Sequence, residues 1–275
     1  MMSKSEFTPM VVVEDATSDV DRGSSSAAKA LAILDAFSGP RAILGVTELA
    51  RAIGVPKSTV HRLLAVMIRS GYICKVEGRY SLTERVFELG NRVGSGALRA
   101  SGLRHHAMPF MSGLYASTRE TVHLATLAGT EVLYLEKVFG HGGARCTTAV
   151  GSRRPAYATA LGKAILAYSS DAVVERTLRG PFRQLTGRTV RAPAALLRKL
   201  AEVRTSGLAT DHGEVQAGMC CVAAPIRDPR TRRAVAAVSI CSLATRNLES
   251  KYGHAVVDIA RDLSRVALAG PVPLD

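Results

Sequence analysis

The chain has 275 residues, 47% hydrophobic and 21% charged, and a formal net charge of +13. That length suits about two domains of roughly 100–200 residues each, and the composition supplies packed cores rather than bulk disorder. So positive a balance points to a polyanionic partner, nucleic acid or an anionic membrane surface, while the sequence has no apolar run of the roughly 18 residues that a membrane span needs.

Residues 1–23 are polar and acidic, without sustained periodicity, and read as a flexible tail with no secretory signal. Ser24, Ser25 and Ser26 can cap a first helix that runs to Phe37, with Ala30, Leu31, Leu34 and Phe37 at helical spacing, and Gly39-Pro40 ends it. A second helix is expected from Thr47, its N-cap, to Ile53, closed by Gly54. A third opens at Pro56, and Val60, Leu63, Leu64 and Met67 give it a buried stripe at i, i+3, i+4 and i+7. Residues 72–82 are rich in β-formers and broken at Glu77-Gly78, the signal of a hairpin.

Two short amphipathic helices joined at a glycine form a helix-turn-helix, and the hairpin makes it winged; residues 24–83 are assigned to this DNA-binding domain. From Arg41 to Arg104 there are eleven Lys/Arg against four acids, so the segment is itself basic. Once the apolar stripe faces inward, Ser58, Arg62, Ala65 and Arg69 face out, flanked by Lys57, Thr59 and His61. Arg62 suits a guanine edge, Ser58 or Thr59 a base or phosphate, and Lys57 a phosphate near the helix start. Lys75 and Arg79 flank the tip of the wing, placed for phosphates or the minor groove.

Residues 84–102 read as a linker helix (Val86, Leu89, Val93, Ala97), loosened by Gly90, Gly94 and Gly96. From 103 to 270 the pattern mixes strands at 121–127, 131–138, 219–226 and 233–240 with helices at 103–117, 159–169, 171–178, 194–205 and 246–268. This is a second, α+β domain. The five cysteines (Cys74, Cys146, Cys220, Cys221, Cys241) show neither a CxxC pair nor zinc-ribbon spacing, which fits reduced thiols in a cytoplasmic protein.

The segments VTELARAIGVPKSTVHRLL (46–64) and SGYICKVEGRYSL (70–82) resemble the IclR family of bacterial transcription regulators. The similarity continues through RETVHLATLAGTEVLYLEKV (119–138), RRPAYATALGKAILA (153–167), GEVQAGMCCVAAPIRD (213–228) and AAVSICSL (236–243). It implies a winged helix-turn-helix joined by a linker helix to a GAF-like effector domain. It also implies homodimers that often pair into tetramers, partly palindromic operator DNA and small organic or aromatic acids as effectors, with repression of a catabolic operon as the expected output.

The same resemblance places an effector pocket between the helix that begins near Ala160 and the late strands. The backbone amides of Ala160 and Leu161 would meet a carboxylate, as amides at a helix start do. Asp211, Met219, Cys221, Ser239 and Cys241 would line the rest. Alternation on a strand turns Ser239 and Cys241 to one side, and likewise Met219 and Cys221. Cys241 stands where some relatives have Ser, which tilts the expected effector toward a less polar molecule such as an aromatic acid.

The same residues admit other readings. Cys220 or Cys221 with His212 suggests a thiol enzyme, but strand cysteines are commonly core. His105, His106, His123 and His141 suggest a metal-responsive regulator but lack ligand spacing. Absence of an aromatic stacking platform argues against single-stranded RNA. No cofactor or metal is expected.

Overall fold

A computed structural model describes residues 25–37, 43–91, 98–141, 146–244 and 247–266. The expected tail at 1–23, the Gly39-Pro40 stop and the centre of the expected linker lie outside the described residues. The chain divides into two units, with the boundary between Ala97 and Leu98, five residues before the domain start expected at 103.

The first unit contains α1 (Ser26–Ala36), β1 (Ile43–Leu44), α2 (Val46–Ile53), α3 (Lys57–Arg69), β2 (Ile73–Val76), β3 (Arg79–Leu82) and α4 (Glu84–Asn91). Ser25 caps α1, its hydroxyl accepting from Ala28 N at 3.0 Å. The expected cap at Thr47 is corrected: α2 begins at Val46 with Gly45 as N-cap, because the Glu48 carboxylate reaches back to accept from Gly45 N at 2.8 Å. Gly54 ends α2 in the left-handed conformation (φ 69°) that side chains disfavour; the chain turns there and enters α3 at Pro56. The stripe Val60, Leu63, Leu64 and Met67 is buried, against Ile33 of α1, Leu49 of α2 and Tyr80 of β3. β2 and β3 pair antiparallel around Glu77-Gly78, both at positive φ (49° and 79°), as a type I′ turn requires. β1 adds a third strand on β3; at two residues it is too short to leave a periodic signal.

The second unit contains α5 (Leu98–Thr118), β4 (Thr121–Ala128), β5 (Glu131–Val138), β6 (Arg153–Pro155), α6 (Ala160–Leu166), α7 (Asp171–Arg179), α8 (Pro193–Ser206), β7 (Ala209–His212), β8 (Met219–Arg227), β9 (Ala234–Leu243) and α9 (Leu248–Val266). The strands form one antiparallel sheet in the order β6-β5-β4-β9-β8-β7. Strand alternation gives it two apolar faces. Val122, Leu124, Val222, Ile226, Val238 and Ile240 pack on one side with Met111 of α5 and Val256 of α9. Ala125, Tyr134, Ala223 and Ala237 pack on the other with α6 and α8. The short β6 and β7 carry Arg153, Arg154, Asp211 and His212, which hid them from a hydrophobic reading.

One close approach fixes α6. Before it, residues 156–158 form a single 3₁₀ turn, and a Cβ at Gly162 would penetrate the backbone of Ala156. Position 162 therefore requires glycine. Gly162→Ala is expected to lower the unfolding free energy by about 3 kcal/mol, seen as a lower urea midpoint; an unchanged midpoint would contradict the contact.

Candidate effector cavity and nucleic-acid interface

On α3, Ser58, Arg62, Ala65 and Arg69 are exposed, as are Lys57 and His61, while Thr59 is half-buried. Arg62 also lines a cleft between α1 and α3, beside Ala30 and Val66. Lys75 is exposed on β2. Arg79 is tied down: its Nη2 donates to Glu48 Oε2 at 2.6 Å and to Ile43 O at 3.3 Å. Of the two wing cations, Arg79 thus shares its charge with an acid at the start of α2.

In the second unit, all seven expected effector residues, Ala160, Leu161, Asp211, Met219, Cys221, Ser239 and Cys241, line one cavity. They arrive from α6, β7, β8 and β9. Antiparallel register sets Asp211 opposite Cys221 and Cys221 opposite Cys241. Thr159 caps α6, its hydroxyl accepting from Gly162 N at 2.9 Å, and its carbonyl accepts from Lys163 N. Helix geometry leaves the amides of Ala160 and Leu161 as the first-turn donors outside the helical ladder.

The cavity has further walls that the sequence reading did not assign. His123 of β4 lies opposite Ser239, and strand alternation could have indicated it. Its Nε2 lies 2.8 Å from Thr148 Oγ1, and its ring meets Tyr134 edge-on at 5.2 Å. Cys146 and Thr148 come from a segment without regular structure, where no periodicity points to a ligand. The buried Lys137 holds that segment, donating to Cys146 O at 2.9 Å and Thr148 O at 2.7 Å. Thr147 bridges to Gln216 at 3.1 Å. The cavity volume is about 30 Å³, room for about one or two waters.

Behind the cavity, the fully buried Lys163 donates to Glu214 Oε1 at 2.6 Å, and Lys199 stands 3.7 Å from the same oxygen. Glu214 N donates to Asp211 Oδ1 at 2.6 Å. Burial pulls the Lys163 ammonium below the lysine range, against the opposite pull of Glu214. Burial pushes the Asp211 carboxyl up to about 6, although Lys163 acts in the other direction.

Among the described residues, no three His, Cys, Asp or Glu side chains gather as ligands for a metal ion, and no helix is long and apolar enough to cross a membrane.

Comparison with known proteins places residues 26–77 in the IclR helix-turn-helix domain and residues 95–265 in the bacterial transcriptional regulator IclR C-terminal domain. The chain is 36% identical over 220 residues to the HTH-type transcriptional regulator KdgR of Escherichia coli strain K12, covering 78% of this chain and 81% of that one. It is 33% identical over 224 residues to the regulator XynR of the same organism, covering 80% and 87%. An IclR homologue from Microbacterium hydrocarbonoxydans, solved in complex with 4-hydroxybenzoate, superposes with a TM-score of 0.80 at 29% identity, covering 90% of this chain and all of that one.

Breaking the buried pair should be costly. Lys163→Met strands Glu214 in the interior and is expected to lose about 3–5 kcal/mol of stability. Adding Glu214→Leu should restore much of it in chemical denaturation; equal losses in the single and double variants would show that the pair is not the source.

Proposed function

The chain belongs to the IclR family of transcription regulators, and on that premise we propose that it is a homodimeric, acid-responsive repressor of a catabolic operon, acting in the cytoplasm. The carrying observation is the convergence of Ala160, Leu161, Asp211, Met219, Cys221, Ser239 and Cys241 on one cavity. An aromatic acid fits its chemistry: amides at the start of α6 for the carboxylate, and Met219, Tyr134 and Leu161 for an apolar ring. The 4-hydroxybenzoate complex of the Microbacterium homologue supports this class of ligand. A small-molecule site usually encloses about 300–1,000 Å³, so an acid must displace part of the lining to enter. That displacement couples occupancy to operator affinity, because a ligand shifts an equilibrium by its preference for one state. Tetramers built from such dimers follow the same logic, and double-stranded, partly palindromic operator DNA is the partner.

On the DNA side, Arg62 and Ser58 read bases, Thr59 and His61 flank them, and Lys57 and Lys75 supply charge to phosphates. Arg79 is given the lesser role of bracing the wing, since Glu48 holds it. Arg62→Ala should cost about 1–3 kcal/mol and blur preference at one base position; equal loss on operator and random duplex in a gel shift would remove its base-reading role. Lys57→Ala should weaken all duplexes and flatten the salt dependence of binding.

Asp211 makes effector binding depend on pH. An ionised Asp211 repels a carboxylate ligand, while the protonated form admits it. With its pKa pushed up to about 6, affinity for 4-hydroxybenzoate should rise as pH falls from neutral through 6. Asp211→Asn, which retains an acceptor for Glu214 N, should bind at neutral pH as tightly as the parent does below 6. Calorimetric titration across that range checks both, and a pH-independent parent would refute the role.

A further inference from the structure

Three of the five cysteines, Cys146, Cys221 and Cys241, line the cavity. Cys221 and Cys241 are directly opposed on β8 and β9, and their sulfurs lie 2.8 Å apart. Opposed residues on antiparallel strands have Cα atoms about 4.5 or 5.5 Å apart, and both spacings fall within the roughly 4.4–6.8 Å that a disulfide spans. The strands need not shift register to join these sulfurs. The cavity's volume of about 30 Å³ is far below that of a usual small-molecule site but accommodates about one or two waters, the size of hydrogen peroxide.

We propose that Cys221 and Cys241 are a redox-active dithiol inside the cavity, closing to an intramolecular disulfide with hydrogen peroxide, so that oxidation changes the cavity's response to its organic acid. Cys221 is the partly exposed member. Its sulfur attacks one peroxide oxygen, the O–O bond breaks, and its proton leaves with the departing hydroxide as water, giving a sulfenic acid. Cys241 then attacks that sulfur, the S–O bond breaks, and a second water leaves with the Cys241 proton. Two thiols are oxidised by two electrons and one peroxide is reduced to two waters.

The surroundings make this a slow reaction near neutrality. The contact with Cys241 favours a thiolate at Cys221, but burial and Asp211 push its thiol up overall. For Cys241, contact with Cys146 favours the thiolate, while the bond from Cys221 and burial outweigh it and push the thiol well up. Because the thiolate is the attacking species, closure should accelerate as pH rises. Closure removes two S–H groups from the wall and should weaken 4-hydroxybenzoate binding about tenfold, the scale of one lost hydrogen bond. This last consequence rests on the effector reading of the cavity; the disulfide itself does not.

The test treats the full-length protein with hydrogen peroxide, followed by intact mass and peptide mapping. Loss of two hydrogens, a peptide linking Cys221 to Cys241, reversal by dithiothreitol and faster closure at higher pH are expected. Cys221→Ser and Cys241→Ser should each abolish it, and Cys74→Ser should not. A link through Cys146, or no link, overturns the proposal whether or not the serine variants fold, since mapping is done on the parent chain. Calorimetry with 4-hydroxybenzoate on reduced and oxidised protein separates the two readings. Binding lost on oxidation supports the coupling, and equal binding in both forms overturns it. No binding in the reduced form removes the effector reading while leaving the mapped disulfide standing.

Discussion

The antiparallel register of β8 against β9 governs the second unit. Because side chains alternate with a period of two, one pairing sends Val222, Val238 and Ile240 to the layer of α5 and α9, and Cys221, Ser239 and Cys241 to the layer of α6. A slip of one residue would exchange these sets, burying sulfur and hydroxyl where α9 needs branched hydrocarbon. The apolar cost of that exchange protects the cavity wall. Core and site are therefore two faces of the same hydrogen-bonded ladder, and neither can drift without the other.

α6 is positioned by two further constraints of different kinds. At Gly162 the absence of a side chain lets the helix press against the preceding turn. One residue on, Lys163 reaches Glu214 on the segment between β7 and β8, which in turn touches Asp211 through its backbone. Steric contact sets the distance, and the buried charge pair sets the rotation. A buried pair is seldom a large net source of stability, since desolvation offsets the attraction. Its effect here is to make one placement of the helix far better than its neighbours.

Legibility of the sequence followed the strength of periodic signals. The α3 stripe, the wing and the long strands β4, β5, β8 and β9 were readable because each presents an apolar face over several residues. The strands β1, β6 and β7 were not: β1 has only two residues, β6 and β7 are short and polar, and all three are held by pairing with other strands. Helix α2 began one residue before its expected start because Glu48 served as the cap from inside the helix, a contact invisible to a search for Ser or Thr. The family likeness supplied the seven proposed effector positions, and alternation explained why they share one cavity, but Cys146 and Thr148 depended on Lys137 holding an irregular segment against the sheet. The ion pair of Arg79 with Glu48 likewise joins residues far apart in sequence, so charge counting along the chain overstated how much of the wing's charge is uncommitted.

If the cavity is the effector site proposed above, its small volume of about 30 Å³ sets a threshold for signalling. Any ligand whose contacts are worth less than the displaced packing leaves the protein as it was, however abundant that ligand is. Apparent affinity is reduced by the rarity of the open form, and this reduction falls on every candidate molecule alike. On that reading, weak, common metabolites would be filtered out by work done on the wall, before shape or hydrogen bonding discriminates among the remainder. On the proposed reading a tight resting state acts as a noise filter, and a substitution that hollowed it would broaden the response while sharpening nothing.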